Sequence, residues 1–322
     1  MNKILEDLGK IGIIPVIRID DADKAVPLAK ALIAGGIPCA EVTFRTAQGD
    51  EAIRRITAEV PECLVGAGTV LSAEQVDKAI KAGAKYIVSP GYNSKVVNYC
   101  IEKGIPVTPG CSNPSDFEQA LEAGLEVVKF FPAEQSGGLE YIKAVAAPYS
   151  SLKFIPTGGI NAANIGKYIA CDKILACGGT WMVGADLINA GDFNRITALS
   201  KEAILTMLGF SAVHFGINAK SEDAAENGAA LFNTLFGFSL RPGNSSIFAS
   251  DFIEIMKSPN ALGVNGHIGI ATNTIVRAQA YLERLGISFD PASIKKTPEG
   301  KVNLIYAKDG ILGFAWHLVQ RS

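Results

Sequence analysis

The sequence predicts an α/β protein in two parts: a (β/α)8 TIM barrel over residues 1–208, then a smaller α+β domain of paired βαβββ units over residues 209–322. Three observations carry this. Eight short apolar, β-rich runs recur between residues 11 and 179, and capped helical patterns alternate with them. Near Gly209 the character changes, from strands apolar on both faces to strands that alternate polar with apolar.

The eight runs are IGIIPVI, CAEVTF, CLVGAGTV, KYIVSP, IPVTPG, EVVKFFP, KFIPTGG and KILACGG. Between them lie segments such as ADKAVPLAKALIAGG, SAEQVDKAIKAGA, SKVVNYCIEKG and SDFEQALEAG, several with a Ser or Asp cap before the apolar stripe and a Gly after it. Strands alternating with capped helices make βα units and a parallel sheet. A leucine-rich solenoid would need an LxxLxL pattern, which is absent. Strands apolar on both faces fit a closed barrel, covered by helices outside and filled by side chains inside. A first helix over residues 2–10 caps its base. From Ser211 the runs read AVHFGIN, SIFAS, DFIEIMK, GHIGIAT, KVNLIYA and FAWHLV, interrupted by the helical segments EDAAENGAALFNTLFG and TNTIVRAQAYLERLG. This is a strand, helix, three-strand order occurring twice.

The 322 residues are 48% hydrophobic and 19% charged, with a formal charge of −2. That is a globular composition, with no electrostatic reason to bind nucleic acid or an anionic membrane. The N-terminus, MNKILEDLGK, lacks a signal peptide's apolar stretch, and no run approaches a membrane span, so a soluble, cytoplasmic protein is expected. Six cysteines without CxxC spacing read as buried free thiols.

Reactive groups of such a barrel sit at the C-terminal ends of strands. Lys129, flanked by Val127, Val128, Phe130 and Phe131, lies in a strand buried on both faces. Burial disfavours an ammonium and leaves a fraction of free amine able to attack a ketone; a snorkelling or ion-paired lysine is the plainer alternative. In EVTFR, the two-residue period of a strand puts Glu41, Thr43 and Arg45 on one face, pointing into the barrel mouth. Arg45 would fork onto a carboxylate and Glu41 would move protons. Thr69 and Pro90 border the same mouth. The last two strands end in PTGGI and CGGT, where glycine pairs before helices let backbone amides converge on an anion and Thr180 adds a donor.

GIPCAEVTFR (36–45) and GLEVVKFFPAEQSGG (124–138) resemble the two signature segments of the 2-keto-3-deoxy-6-phosphogluconate and 4-hydroxy-2-oxoglutarate aldolases over residues 1–205, and GAGTV, SPG, PTGGI and GGTW resemble the family's other active-site segments in order. The resemblance implies a class I aldolase that needs no cofactor, with Lys129 as Schiff-base lysine and Glu41 as general acid/base. It implies that Arg45 and Thr69 bind the pyruvate carboxylate and that Pro90, Phe131 and Thr157 line the pocket. Gly158, Gly159, Gly179 and Thr180 would hold the phosphate. It also implies a small-molecule 2-keto acid substrate, cleavage to pyruvate and D-glyceraldehyde 3-phosphate, and a homotrimer. Open alternatives are unphosphorylated 4-hydroxy-2-oxoglutarate or another 2-keto-3-deoxy sugar acid as principal substrate, and a catalytically silent binding module.

All three histidines, His214, His267 and His317, fall in the C-terminal domain, and with Glu254 they lie on the first, fourth, fifth and eighth strands of the doubled pattern. Imidazoles and a carboxylate on facing strands suit a divalent first-row metal; partly buried structural histidines are the alternative. This domain is similar to the glyoxalase and bleomycin-resistance superfamily, whose metal ligands occupy those four strands; His317 stands where many members have glutamate.

Overall fold

A computed structural model of the chain describes residues 1–258 and 262–321. It divides into two compact units, Met1–Met207 and Leu208–Ser322.

In the first unit nine parallel strands alternate with helices: β1 (Ile13–Ile17), β2 (Cys39–Thr43), β3 (Leu64–Gly68), β4 (Ile87–Val88), β5 (Val107–Thr108), β6 (Gly110–Cys111), β7 (Val127–Phe130), β8 (Lys153–Pro156) and β9 (Cys177–Gly179). The apolar run IPVTPG is one strand by pattern but two by hydrogen bonding, since Pro109 between β5 and β6 has no N–H to donate. Thus β5 completes the sheet β5-β4-β3-β2-β1-β9, while β6 pairs with β7 and β7 with β8. Parallel bridges Phe154↔Ile174 and Thr157↔Gly178 join the β8 side to the β9 side, and β9 pairs with β1, so the arrangement is TIM-barrel-like. Strands β1 and β2 are buried at every position because helices cover one face and packed side chains the other.

The helices begin and end where their caps dictate. Ser72 accepts from the Gln75 amide ahead of helix Ala73–Ala82, which stops at Gly83 with φ 98°. Helix Lys3–Ile11 is capped by Asn2 and buries Leu5, Leu8 and Ile11. Of the six cysteines five are buried and Cys171 is half-buried. Among the described residues no helix is long and apolar enough to cross a membrane.

The second unit is an eight-stranded sheet: β10 (Ser211–Asn218), β11 (Leu240–Pro242), β12 (Ser246–Ala249), β13 (Ile253–Met256), β14 (His267–Thr272), β15 (Lys295–Lys296), β16 (Val302–Tyr306) and β17 (Ala315–Gln320). The spatial order is β11-β12-β13-β10-β14-β17-β16-β15. Each repeat closes by pairing its fourth strand parallel to its first, and the repeats meet through antiparallel β10 and β14. The short strands β11 and β15 have no clear sequence signal, since LRP and KK pair only because a longer neighbour presents an edge. Helix Glu222–Phe236 packs Ala225 and Ala229 against Ile247, Ala249 and Ile255 on one face. Side chains of opposite parity, among them His214, Glu254, His267 and His317, therefore stand on the other face.

Candidate active site and histidine cluster

Lys129 on β7 is 5% exposed and Glu41 on β2 is 3% exposed. Their side chains meet across the barrel interior, Lys129 Nζ donating to Glu41 Oε1 at 3.4 Å. Phe131, the next residue but one along the chain, places its ring centroid 5.3 Å from the same nitrogen. Water is thus kept from one side of the amine by an aromatic face and from the other by the strand neighbours.

The two-residue reading of EVTFR needs correction beyond Glu41. Strand β2 ends at Thr43, so Phe44 and Arg45 lie in the turn that follows and no longer obey strand alternation. Thr43, fully buried, donates its hydroxyl to the Ile17 carbonyl at 2.7 Å and has no proton left for a substrate. Arg45 is exposed, and its Nε donates to Thr69 Oγ1 at 3.4 Å. Thr69 follows β3 with φ 58°, a left-handed backbone that a β-branched residue adopts only at a cost.

The remaining barrel residues gather by strand register. Pro90 is half-buried, and its carbonyl would lie 2.0 Å from a Cβ built on Gly110, which pairs with Lys129. Thr157 is 7% exposed and bridges to Gly178, one residue before Gly179. Gly158 and Gly159 have φ 99° and 81°, conformations that admit glycine, and a Cβ on Gly158 would lie 3.5 Å from the Phe131 ring. Thr180 is exposed directly after β9.

Two residues that pattern reasoning passed over stand at this mouth. Arg18 follows β1, between β2 and β9, and pairs with Asp20 at 3.2 Å. Gly68 leaves the space that the Glu41 carboxylate fills, because a Cβ there would come within 2.3 Å of Oε1. Neither has a sequence signal of its own; a glycine's necessity depends on what folds over it.

In the second unit the three imidazoles converge. Their nitrogens include a set all within 4.8 Å of one another, and the ring centroid of His317 lies 5.0 Å from His214 and 5.4 Å from His267. Glycines make the room: a Cβ on Gly216 would meet the His267 ring at 2.0 Å, and one on Gly269 the His214 ring at 2.3 Å. Glu254 Oε2 lies 3.1 Å from His267 Nε2 and 3.6 Å from His214 Nε2. Burial pushes the Glu254 carboxyl up, but hydrogen bonds from His267 and Ser246 outweigh it and hold the group at about 2. Burial, aided by the other two imidazoles, pushes His317 down to about 3. Among the described residues His317 Nδ1 and Nε2 and His214 Nε2 are buried without a hydrogen-bond partner. Orphaned buried nitrogens cost about 1–3 kcal/mol each, and a metal ion is one partner that would satisfy them. Tyr306, paired with His317 across β16 and β17, sets its ring 4.6 Å from it and is pushed up to about 12 by burial and by the Glu254 charge.

A buried amine beside a buried carboxylate, inside a TIM-barrel-like parallel sheet, is the equipment of a class I aldolase, a carbon–carbon lyase working through a Schiff base. Comparison with known proteins agrees. Residues 4–199 match the family model described as KDPG and KHG aldolase. The chain is 50% identical over 204 residues to the 2-dehydro-3-deoxy-phosphogluconate aldolase of Treponema pallidum, covering 63% of this chain and 97% of that protein. The aldolase of Zymomonas mobilis solved with 3-phosphoglycerate is 40% identical, with TM-score 0.58 over 62% of this chain and 94% of that one. The KDPG aldolase of Legionella pneumophila, with pyruvate captured as a covalent carbinolamine, is 34% identical, with TM-score 0.60 over 62% and 97%. This chain belongs to the KDPG and KHG aldolase family.

Proposed function

We propose that residues 1–208 form the aldolase domain and cleave 2-dehydro-3-deoxy-6-phosphogluconate to pyruvate and D-glyceraldehyde 3-phosphate. The observation that carries this reading is the buried Lys129–Glu41 pair, 3.4 Å apart. The Lys129 amine adds to the C2 ketone, and Glu41 protonates the resulting hydroxyl so that water leaves and an iminium forms. Glu41 next takes the proton of the C4 hydroxyl. The C3–C4 bond breaks, its electrons pass to the iminium, and the aldehyde departs. Glu41 returns a proton to C3 of the enamine, and hydrolysis of the new iminium frees pyruvate and the lysine.

In this reading Arg45 and Thr69 hold the keto acid carboxylate, and Pro90, Phe131 and Thr157 wall the pocket. The Gly158, Gly159, Gly179 and Thr180 loops take the phosphate; the positive φ at Gly158 and Gly159 supports this. Borohydride reduction with pyruvate should add the corresponding mass to Lys129 alone; unmodified protein, or label elsewhere, would end the assignment. Relative kcat/KM for substrates with and without phosphate ranks 4-hydroxy-2-oxoglutarate against the phosphorylated acid. Family resemblance supports a cytoplasmic homotrimer, and sedimentation as a monomer would remove that part.

We further propose that residues 209–322 form a glyoxalase-like domain that holds a divalent metal through His214, Glu254, His267 and His317. The orphaned buried nitrogens of His214 and His317 support it. A cation there would supply Lewis-acid character; the chain's own groups orient the donors and keep them dry. Metal analysis of protein purified without chelator tests this, with less than stoichiometric metal in wild type counting against it.

A further inference from the structure

The histidine cluster has a second layer. Ser246, on β12 and 7% exposed, donates its hydroxyl to Glu254 Oε1 at 2.6 Å. The two are not direct partners across the strands: Ser246 stands opposite Met256, and Phe248 opposite Glu254. The serine therefore reaches diagonally to the carboxylate, on the face that carries the histidines. Its distance is the ordinary one for a hydroxyl on an ionised carboxylate, a class of bond stronger than a neutral one. The other oxygen, Oε2, is the one turned toward His267 and His214.

We infer that Ser246 is a positioning residue: it occupies one oxygen of Glu254, so that the cluster offers a metal three imidazole nitrogens and a single carboxylate oxygen. The inference rests on the metal reading of this domain. A carboxylate with both oxygens free can take two coordination positions. With Oε1 engaged by the serine it takes one, and a cation that accepts five or six donors keeps positions for an exogenous oxygen ligand. The same bond fixes the plane of the carboxylate and directs Oε2 at the imidazoles.

The test uses the full-length protein, stripped with chelator and titrated with Co(II), followed by the visible absorption bands and by competition with a chelating dye. Ser246→Ala should bind Co(II) about 10–100-fold more weakly and show altered bands as the freed carboxylate changes its mode of binding. Ser246→Thr, which keeps the hydroxyl, should restore both. Ser246→Val repeats the loss of the donor with the volume filled, should the alanine variant fold poorly. Wild-type affinity and bands in Ser246→Ala overturn the inference. So does weaker binding with unchanged bands, which would make the serine a packing residue only. A wild type that takes up no Co(II) removes the metal reading itself; uptake abolished by His317→Ala but indifferent to Ser246→Ala removes the serine's role alone.

Discussion

Gly68 and Glu41 sit on adjoining strands so closely that no side chain fits on the glycine: a Cβ there would stand 2.3 Å from Glu41 Oε1 and 2.7 Å from its Cγ. Register pairs Glu41 with Gly66 and Thr43 with Gly68, so the carboxylate leans along the strand toward the barrel mouth. Gly68→Ala should push it off the Lys129 amine. We expect kcat to fall on the order of 100-fold, with about 1–3 kcal/mol of lost stability. A lactate-dehydrogenase-coupled assay beside a denaturant melt measures both; unchanged kcat would show that the carboxylate need not lie there.

Thr69 holds φ 58° while its hydroxyl faces Arg45. Glycine accepts that backbone freely, so Thr69→Gly should stabilise the first unit by on the order of 1 kcal/mol and yet lower kcat/KM for every 2-keto acid substrate. Thr69→Ser keeps the hydroxyl and should retain most activity. A stable variant with full activity would leave the strain without a purpose.

Gly158 has φ 99°, and a Cβ on it would stand 3.3 Å from the Ala133 amide. Gly158→Ala should raise KM for the phosphorylated acid roughly tenfold or more while changing kcat/KM for 4-hydroxy-2-oxoglutarate much less, since only the former needs the loop amides. Equal losses on both substrates would place the phosphate elsewhere.

The metal-free histidine cluster should make the second unit acid-sensitive. His317 titrates at about 3 in the folded state, below its ordinary 6.5, so the unfolded chain binds the extra proton and stability falls as pH drops from 6.5 toward 3. Glu254, held at about 2 against 4.5, contributes stability above 4.5 that is lost as pH falls toward 2. Both act in the same direction. Guanidinium unfolding of chelated protein, followed by Trp316 in a Trp181→Phe background, should show a falling midpoint between pH 7 and 5 that His317→Gln flattens. A flat wild-type profile would contradict the burial argument.

Local pattern made the alternating strands and helices of the first unit legible, because a strand buried on both faces must be apolar throughout, and a lone lysine in EVVKFFP stands out against that rule. It carried the alternation too far, because β2 ends at Thr43 and Arg45 lies in the turn that follows. The split at Pro109 was equally invisible, as a missing N–H matters only once a neighbour needs it.

From the sequence alone came the chemistry: one amine in an apolar strand, a carboxylate on another, and three imidazoles confined to residues 214–317. Tertiary structure decided what those groups meet. Lys129 touches Glu41 across 88 residues of sequence. Gly68, Gly216 and Gly269 matter only for the side chains that fold over them, and Ser246 finds Glu254 only through strand register. Residue type sets what a group can do, whereas proximity between residues far apart in the chain is a property of the packed fold.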